Sequence, residues 1–294
     1  MLPTVRELVT HLVKTLASTI RPLDQRWFEA ELLVGHILKQ DRTWIALHPD
    51  VRISKTELRR ISELTERRVA LEPLAYLFKQ APFFGQTFFV DQRVLIPRPE
   101  SEWLVQKAIE EIGHIKKPWV VWDVGTGSGC LALSIAQALP HFQVLASDDS
   151  PSAISVAKMN ARRLGTKNVT FCRGSLVTNS IKRWLKLHSQ KHWLIVANLP
   201  YLPQADQPKM QKQVTGYEPL SALFAKQDGL WIINQFIDEL KPLVEQRTGD
   251  IVLFEHDPRQ AKKLATHLQN LFPQAAVSTE LDQNGAKRFT VLKT

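Results

Sequence analysis

Residues 120–133 read VVWDVGTGSGCLAL: an apolar run, Asp123, three glycines in a G-x-G-x-G spacing, and a second apolar run. The pattern is that of a buried strand, a tight loop and a helix. Glycines permit the turn and let a ligand come close to the backbone. Dinucleotide-binding proteins also use such a loop, but the G-x-G-x-x-G spacing of their fingerprint is absent here. Asp123 at the mouth of the loop would repel a pyrophosphate and suits a cationic or amino-bearing ligand. Asp123, Gly125, Thr126, Gly127 and Gly129 are therefore the candidate cofactor loop. Asp148 ends the next apolar run, about 20 residues further on, where a carboxylate can accept both hydroxyls of a ribose. Asp149 beside it is the alternative. S-adenosylmethionine has a ribose and a positive charge but no phosphate, so it suits these carboxylates better than NAD does.

Outward from this loop, strands and helices alternate. A helix over 101–112 precedes the first strand, and helices over 129–139, 151–164, 180–187, 229–245 and 258–270 are predicted after it. Between them lie strands at QVLAS (143–147), VTFC (169–172), HWLIVAN (192–198) and DIVLFE (250–255). Alternation of this kind predicts a parallel sheet with helices on both faces. Two late strands, near 275–280 and 287–292, predict an antiparallel edge hairpin. Upstream, Val5, Leu8, Val9, Leu12, Val13 and Leu16 recur with a helical period. Asp24 is placed to cap a second helix reaching about Leu38, and a short third helix is expected over 42–47. Ser54 with Glu57 makes a capping box for a fourth, to about Ala70. Residues 1–77 thus read as a helical bundle. Residues 78–97, aromatic, β-branched and punctuated by Gly85, read as a β-hairpin connector, and 98–294 as the α/β domain.

Composition narrows the class. The chain has 294 residues, 44% apolar and 23% charged, as in an ordinary globular protein. Its apolar runs fall short of the roughly 20 residues a membrane helix needs, and charges interrupt its N-terminus, so no membrane span or signal peptide is expected. Cys130 and Cys172 make no metal spacing and no disulfide framework, which fits a reducing cytoplasm. The net charge of +9 suggests an acidic partner, nucleic acid or protein. Between Ser150 and Ala205 stand nine basic residues and no acidic one, a solvated face or a contact surface.

The second informative stretch is WLIVANLPYLP, residues 193–203, a buried strand that stops at an amide, a rigid turn and an aromatic ring. The end of a parallel strand is where ligands sit in such a sheet. DVGTGSG (123–129), Asp148 and NLPY (198–201) together resemble class I methyltransferases that act on amide or exocyclic amino nitrogens. PLAYLFKQAPFFGQTFFVDQRVLIPRPESEWLV (73–105) is similar to the protein-(glutamine-N5) methyltransferase family, whose best-known members modify peptide-chain release factors. AELLVGHILKQDR (30–42) and RRVALEPLAYL (67–77) resemble that family's helical domain, so the likeness spans nearly the whole chain.

The resemblance implies a class I, Rossmann-like α/β fold with a mostly parallel seven-stranded sheet. It also implies S-adenosylmethionine as cofactor and a release factor as partner; a monomeric chain without a metal is expected. It implies that the segment containing Leu95 and Glu100 closes over cofactor and substrate, although Glu100 equally suits a cap for the helix at 101–112. Arg98 is a surface charge or a partner contact. Related sequences carry Gly-Asp where this chain has Gly174-Ser175, which weakens the expected grip on adenine, and Pro where it has Leu199.

An amide nitrogen is a poor nucleophile, because its lone pair is delocalised into the carbonyl. Two acceptors on its two N–H groups would turn that lone pair toward a methyl donor and share the developing positive charge. Asn198 Oδ1 and the Leu199 carbonyl are the candidate acceptors, with Pro200 fixing the backbone and Tyr201 packing on the planar amide. Three other functions compete. These are glutamine methylation of a large-subunit ribosomal protein, adenine-N6 methylation of nucleic acid by base flipping, and non-catalytic binding on the same scaffold. Nucleic acid is not required for the first-choice reaction.

Overall fold

The structure is a computed structural model describing residues 1–114 and 118–294. It comprises two compact units, one of Met1–Lys79 with Gln211–Tyr217, the other of Gln80–Met210 with Glu218–Thr294.

The first unit contains helices α1 (Val5–Thr15), α2 (Leu23–Leu38), α3 (Arg42–Leu47), α4 (Lys55–Val69) and α5 (Leu74–Phe78). The apolar stripe of α1 is buried with Leu33, Val34 and Ile37 of α2 and Ile61 of α4. Ser54 and Glu57 form the expected capping box, and Thr4 and Glu7 form a second one at α1. Asp24 does not cap α2. The cap position is Pro22, and Asp24 lies in the first turn, where its charge meets the helix dipole instead. A buried ion pair, Arg68 Nε to Glu29 Oε2 at 2.6 Å, joins α4 to α2.

In the second unit, β1 (Ala81–Phe83) and β2 (Gln86–Phe88) form the antiparallel hairpin. Phe84 and Gly85 at its turn both have positive φ, 47° and 71°, as a tight two-residue connection requires. Helix α6 (Glu102–Ile112) follows, then β3 (Trp119–Val124), α7 (Cys130–Ala138), β4 (Gln143–Asp148), α8 (Pro151–Leu164), β5 (Val169–Arg173), α9 (Asn179–Leu187) and β6 (His192–Ala197). After β6 the chain makes short pieces: β7 (Leu202–Pro203), α10 (Lys212–Thr215) and β8 (Phe224–Ala225). Helix α11 (Trp231–Val244), β9 (Ile251–Glu255), α12 (Ala261–Leu271) and the hairpin β10 (Ala276–Leu281) and β11 (Lys287–Lys293) complete it.

The seven strands lie in the order β10-β11-β9-β6-β3-β4-β5. Only β11 runs against its neighbours, so the late pair is the expected antiparallel edge. Strand β3 is buried on both faces, which is why its sequence is apolar without alternation. Trp122 and Val124 pack with α11 and α12 side chains on one face. Trp119 and Val121 pack on the other face with side chains of α6, α7 and the β1–β2 hairpin. From β3 the chain steps outward to β4 and β5, then returns to β6 on the far side of β3. That reversal opens a crevice at the carboxyl ends of β3 and β6.

Residues 211–217, read from the sequence as part of the α/β domain, pack instead with the N-terminal helices. Tyr217 Oη donates to the Ala70 carbonyl at 2.8 Å, and Arg68 Nη2 donates to Gln213 Oε1 at 3.3 Å.

Candidate active site

The crevice holds the glycine loop. Gly125 N and Thr126 N both donate to the Ser147 carbonyl, and Gly127 N donates to Asp148 Oδ2 at 2.8 Å. Gly125 has φ +74°, and a Cβ there would stand 3.0 Å from Leu199 Cδ2. Gly129 has φ +82°, with Ala157 Cβ and Leu133 Cδ1 each 3.1 Å from the place of its missing Cβ. Gly127, at φ +54°, faces open space. The loop therefore needs glycine at Gly125 and Gly129 for close packing and at Gly127 for conformation.

A cavity of about 400 Å³ lies against this loop. Gly125, Gly127, Asp148, Asp149, Ser175, Asn198, Leu199, Pro200 and Leu95 all line it. Trp231 and Gln235 of α11 and Arg93 line it too and escaped the sequence reading. Asp123, Thr126 and Gly129 are not among the lining residues. Asp123 is fully buried behind the loop, where Oδ2 accepts from Thr126 Oγ1 at 2.6 Å and from Ala132 N at 3.1 Å. Burial pushes its carboxyl up to about 7, and Oδ1 is left without a partner. The mouth of the loop in sequence is thus its back in space.

Asp148 takes backbone N–H bonds on both oxygens, from Gly127 and from Ser150. Burial, with Asp149 adding repulsion, pushes its carboxyl up to about 6. Asp149 is exposed at the rim. The cavity's one cation among the described lining residues, Arg93, is held by Asp91 through Nη2 to Oδ2 at 2.6 Å. Two carboxylates and a neutralised cation suit a ligand with hydroxyls and positive charge and disfavour one with phosphates. A cavity of this size, walled by glycine backbone on one side, fits S-adenosylmethionine.

A second cavity of about 220 Å³ adjoins the first, and Leu95, Asn198 and Ala222 line both. Glu100, Tyr201, Glu255 and Arg288 line its other walls. Asn198 Nδ2 donates to Ser101 Oγ at 2.9 Å, which leaves Oδ1 as its acceptor. Leu199 is buried, and Gln260 Nε2 holds the Tyr201 carbonyl at 2.7 Å, so the backbone on either side of Pro200 is fixed. Tyr201 Oη donates to Glu255 Oε1 at 3.1 Å, and burial beside that carboxyl holds the phenol proton well above the usual range. Glu100 makes no capping bond to α6 and faces this cavity. Arg98 is not a free surface charge. Its Nη2 pairs with buried Glu218 at 2.6 Å, and Glu218 Oε2 also accepts from Ile96 N.

Three further residues were missed. Glu255 ends β9 as Asp148 ends β4, a carboxylate closing an apolar run, and that position was its signal. Ser101 and Asn160 had no local signal. Asn160 is buried on α8 and bonds the Phe89 backbone and the Ser128 carbonyl, tying the hairpin to the glycine loop. The basic residues between 150 and 205 are exposed apart from Lys191, and on that stretch's β5–α9 turn it is Gly174, Ser175 and Leu176 that line the cavity. Among the described residues, no three or more histidine, cysteine, aspartate or glutamate side chains gather as metal ligands would.

Sheet order, glycine loop and strand-end carboxylate define a class I methyltransferase fold, and residues 115–217 match a methyltransferase domain family. The solved catalytic domain of hMettl16 in complex with the MAT2A 3'UTR hairpin 6 shares this fold. It has a TM-score of 0.55 and 15% identity, covering 79% of this chain and 82% of that one. Residues 7–78 match the PrmC N-terminal domain family. A release factor glutamine methyltransferase of Deinococcus radiodurans is 37% identical over 290 residues, 97% of this chain and 96% of that protein. Its counterpart in Bacillus cereus is 33% identical over 260 residues, 88% of this chain and 89% of that protein. The chain belongs to the release factor glutamine methyltransferase family.

Proposed function

We propose that the protein transfers a methyl group from S-adenosylmethionine to the side-chain amide nitrogen of a glutamine, in the Gly-Gly-Gln loop of a peptide-chain release factor. The observation that carries this reading is Asn198. It stands where the two cavities meet, with its amide nitrogen engaged by Ser101 and its oxygen available as an acceptor. S-adenosylmethionine supplies the methyl as an electrophilic carbon on a sulfonium. Asp148, with Asp149 at the rim, would hold the ribose hydroxyls, and Gly125, Gly127 and Ser175 would flank the nucleoside. Asp123, Thr126 and Gly129 act from behind by fixing the loop.

On the substrate side, Asn198 Oδ1 and the Leu199 carbonyl accept the two amide N–H groups, so the nitrogen lone pair faces the donor cavity. Tyr201 and Leu95 wall the planar amide. No strong base is needed during transfer, because the surplus N–H proton of the product is acidic and leaves to solvent. The N-terminal helices recognise the intact protein substrate, and one chain lines both cavities, so a monomer suffices.

The test is methylation of a release factor against the same factor with its Gly-Gly-Gln glutamine replaced by alanine. Peptide mapping should place one added methyl on that glutamine and none on the variant. Equal labelling of both would reject the assignment, and a large-subunit ribosomal protein would be the next substrate to try.

A further inference from the structure

The orientation of the Asn198 carboxamide decides whether it offers the substrate an acceptor or a donor. Only the acceptor suits an amide N–H. Yet the two ends of a carboxamide are nearly the same size, so packing alone does not choose between them. The choice has to come from hydrogen bonding.

Ser101 sits at the turn into α6, 2% exposed, and its Oγ accepts from Asn198 Nδ2. Beside it lies Glu255, 1% exposed, at the end of β9. Glu255 Oε1 accepts from the Tyr201 hydroxyl, while Oε2 is buried with no donor of its own. Burial pushes the Glu255 carboxyl up from its ordinary value, and the Ser101 and Tyr201 hydroxyls and the Arg288 charge pull the other way, toward the anion. Arg288 is itself paired with Asp282 at 2.9 Å, so it does not take Glu255 as its main partner. A carboxylate can only accept, and a serine has one proton to give. If that proton goes to the unfilled Oε2, the serine oxygen is left as an acceptor, and the amide end of Asn198 must turn toward it.

We propose that Glu255, acting through Ser101, sets which way round the Asn198 carboxamide stands and so makes Asn198 an acceptor toward the substrate. Glu255 is a positioning residue: it lines the second cavity, but it acts on Asn198 through Ser101, its acceptor character passed along two hydrogen bonds. The proposal rests on the methyl-transfer reading of Asn198. It predicts an asymmetry between isosteres. Glu255→Gln keeps the shape but can donate an N–H to Ser101. The serine proton is then free to point at Asn198 Oδ1, and the carboxamide turns its donor end to the substrate.

The test compares Glu255→Gln, Ser101→Ala, the double variant and Ser101→Thr in the full chain. Readouts are kcat and KM on a release factor, S-adenosylmethionine affinity by calorimetry, and the Asn198 side-chain amide signals in nitrogen-15 NMR. The expected result is a kcat loss on the order of tenfold or more in each single variant, with donor affinity unchanged. The double variant should be no slower than the worse single one, since both break one chain of bonds. Ser101→Thr should recover most of the rate. The Asn198 amide protons should be protected from exchange in the wild type and lose that protection in Ser101→Ala and Glu255→Gln.

Rates within about threefold of wild type, or losses that multiply in the double variant, would overturn the relay. If wild-type protein labels no release factor, the functional reading fails. The NMR comparison still decides the relay, because it needs no turnover. If Glu255→Gln does not fold, the Ser101→Ala and Ser101→Thr pair decides: equal losses in both would refute it.

Discussion

At the scale of single residues, the proposed chemistry rests on two strand ends. Asn198 closes β6 and Asp148 closes β4, on either side of β3 in the sheet. Replacing Asn198 by alanine removes an acceptor aimed at the nucleophile and leaves the ribose side untouched. The expected outcome is a kcat loss on the order of 10²–10³ with S-adenosylmethionine affinity nearly unchanged, read by steady-state kinetics and calorimetry. Asp148 brings a pH dependence. A ribose hydroxyl bonds best to the anion, and this carboxyl is pushed up to about 6. Donor affinity should therefore weaken as pH falls through that value and level off above it, in titrations from acid to neutral pH. A flat profile would move the ribose contact to Asp149. For the unliganded fold the sign is opposite. The folded chain holds this proton more tightly than the unfolded one, so Asp148's contribution to stability falls as pH rises from 3.8 to about 6. Asp148 and Asn198 were readable as candidates because each closes an apolar run, and Leu199 and Tyr201 because they follow Asn198. Asp123 was legible as important but not in its role. Sequence shows that it precedes the loop, whereas only space shows that Thr126 and the first turn of α7 both bond its Oδ2 from behind the loop.

At the scale of elements, the loop between β3 and α7 separates two demands that its sequence presents as one. Gly129 is wedged against Ala157 of α8 and Leu133 of α7, whereas Gly127 faces open space on the cavity side. Both have positive φ, so alanine at either carries backbone strain of about 1–3 kcal/mol. Gly129→Ala adds a clash with fixed atoms. It should lower the thermal midpoint more than Gly127→Ala does, while Gly127→Ala should weaken donor binding more for its cost in stability. Paired melting curves and calorimetry check the ordering, and the reverse order would contradict the packing described. The alternation of β3 through β6 with α7 through α9 was readable from periodicity, as was the final hairpin. Residues 202–228 were not. They form two-residue strands, 3₁₀ turns and one short helix, too brief to show a period, and they are fixed by distant partners such as Gln260, which holds the Tyr201 and Asp228 carbonyls.

At the scale of the molecule, a unit built mostly from the first 79 residues accompanies a methyl-transfer unit that contains both cavities. The chain passes once more through the first unit at 211–217, just before Pro219, Ser221 and Ala222 line the donor cavity. A fragment starting at Gln80 loses the partners of Tyr217 and Gln213. It should still bind S-adenosylmethionine, several-fold more weakly by calorimetry, and should fail to methylate an intact release factor. Full activity in that fragment would remove substrate recognition from the N-terminal helices. No local pattern marked residues 211–217 as belonging with those helices, since the contacts run to Arg68 and Ala70, far away in sequence. The central claim is that this site methylates a protein amide and not a nucleobase. A glutamine side chain is slim, whereas an adenine must be unstacked into a wide aromatic slot. The substrate-side cavity is about 220 Å³, with Tyr201 as the one aromatic among its described lining residues. The most direct measurement offers methyl-labelled S-adenosylmethionine to the protein with a release factor and adenine-containing DNA and RNA in the same reaction. Label on a glutamine of the release factor, and none in nucleic acid, is the expected result; label in the nucleic acid and none in the protein would contradict it.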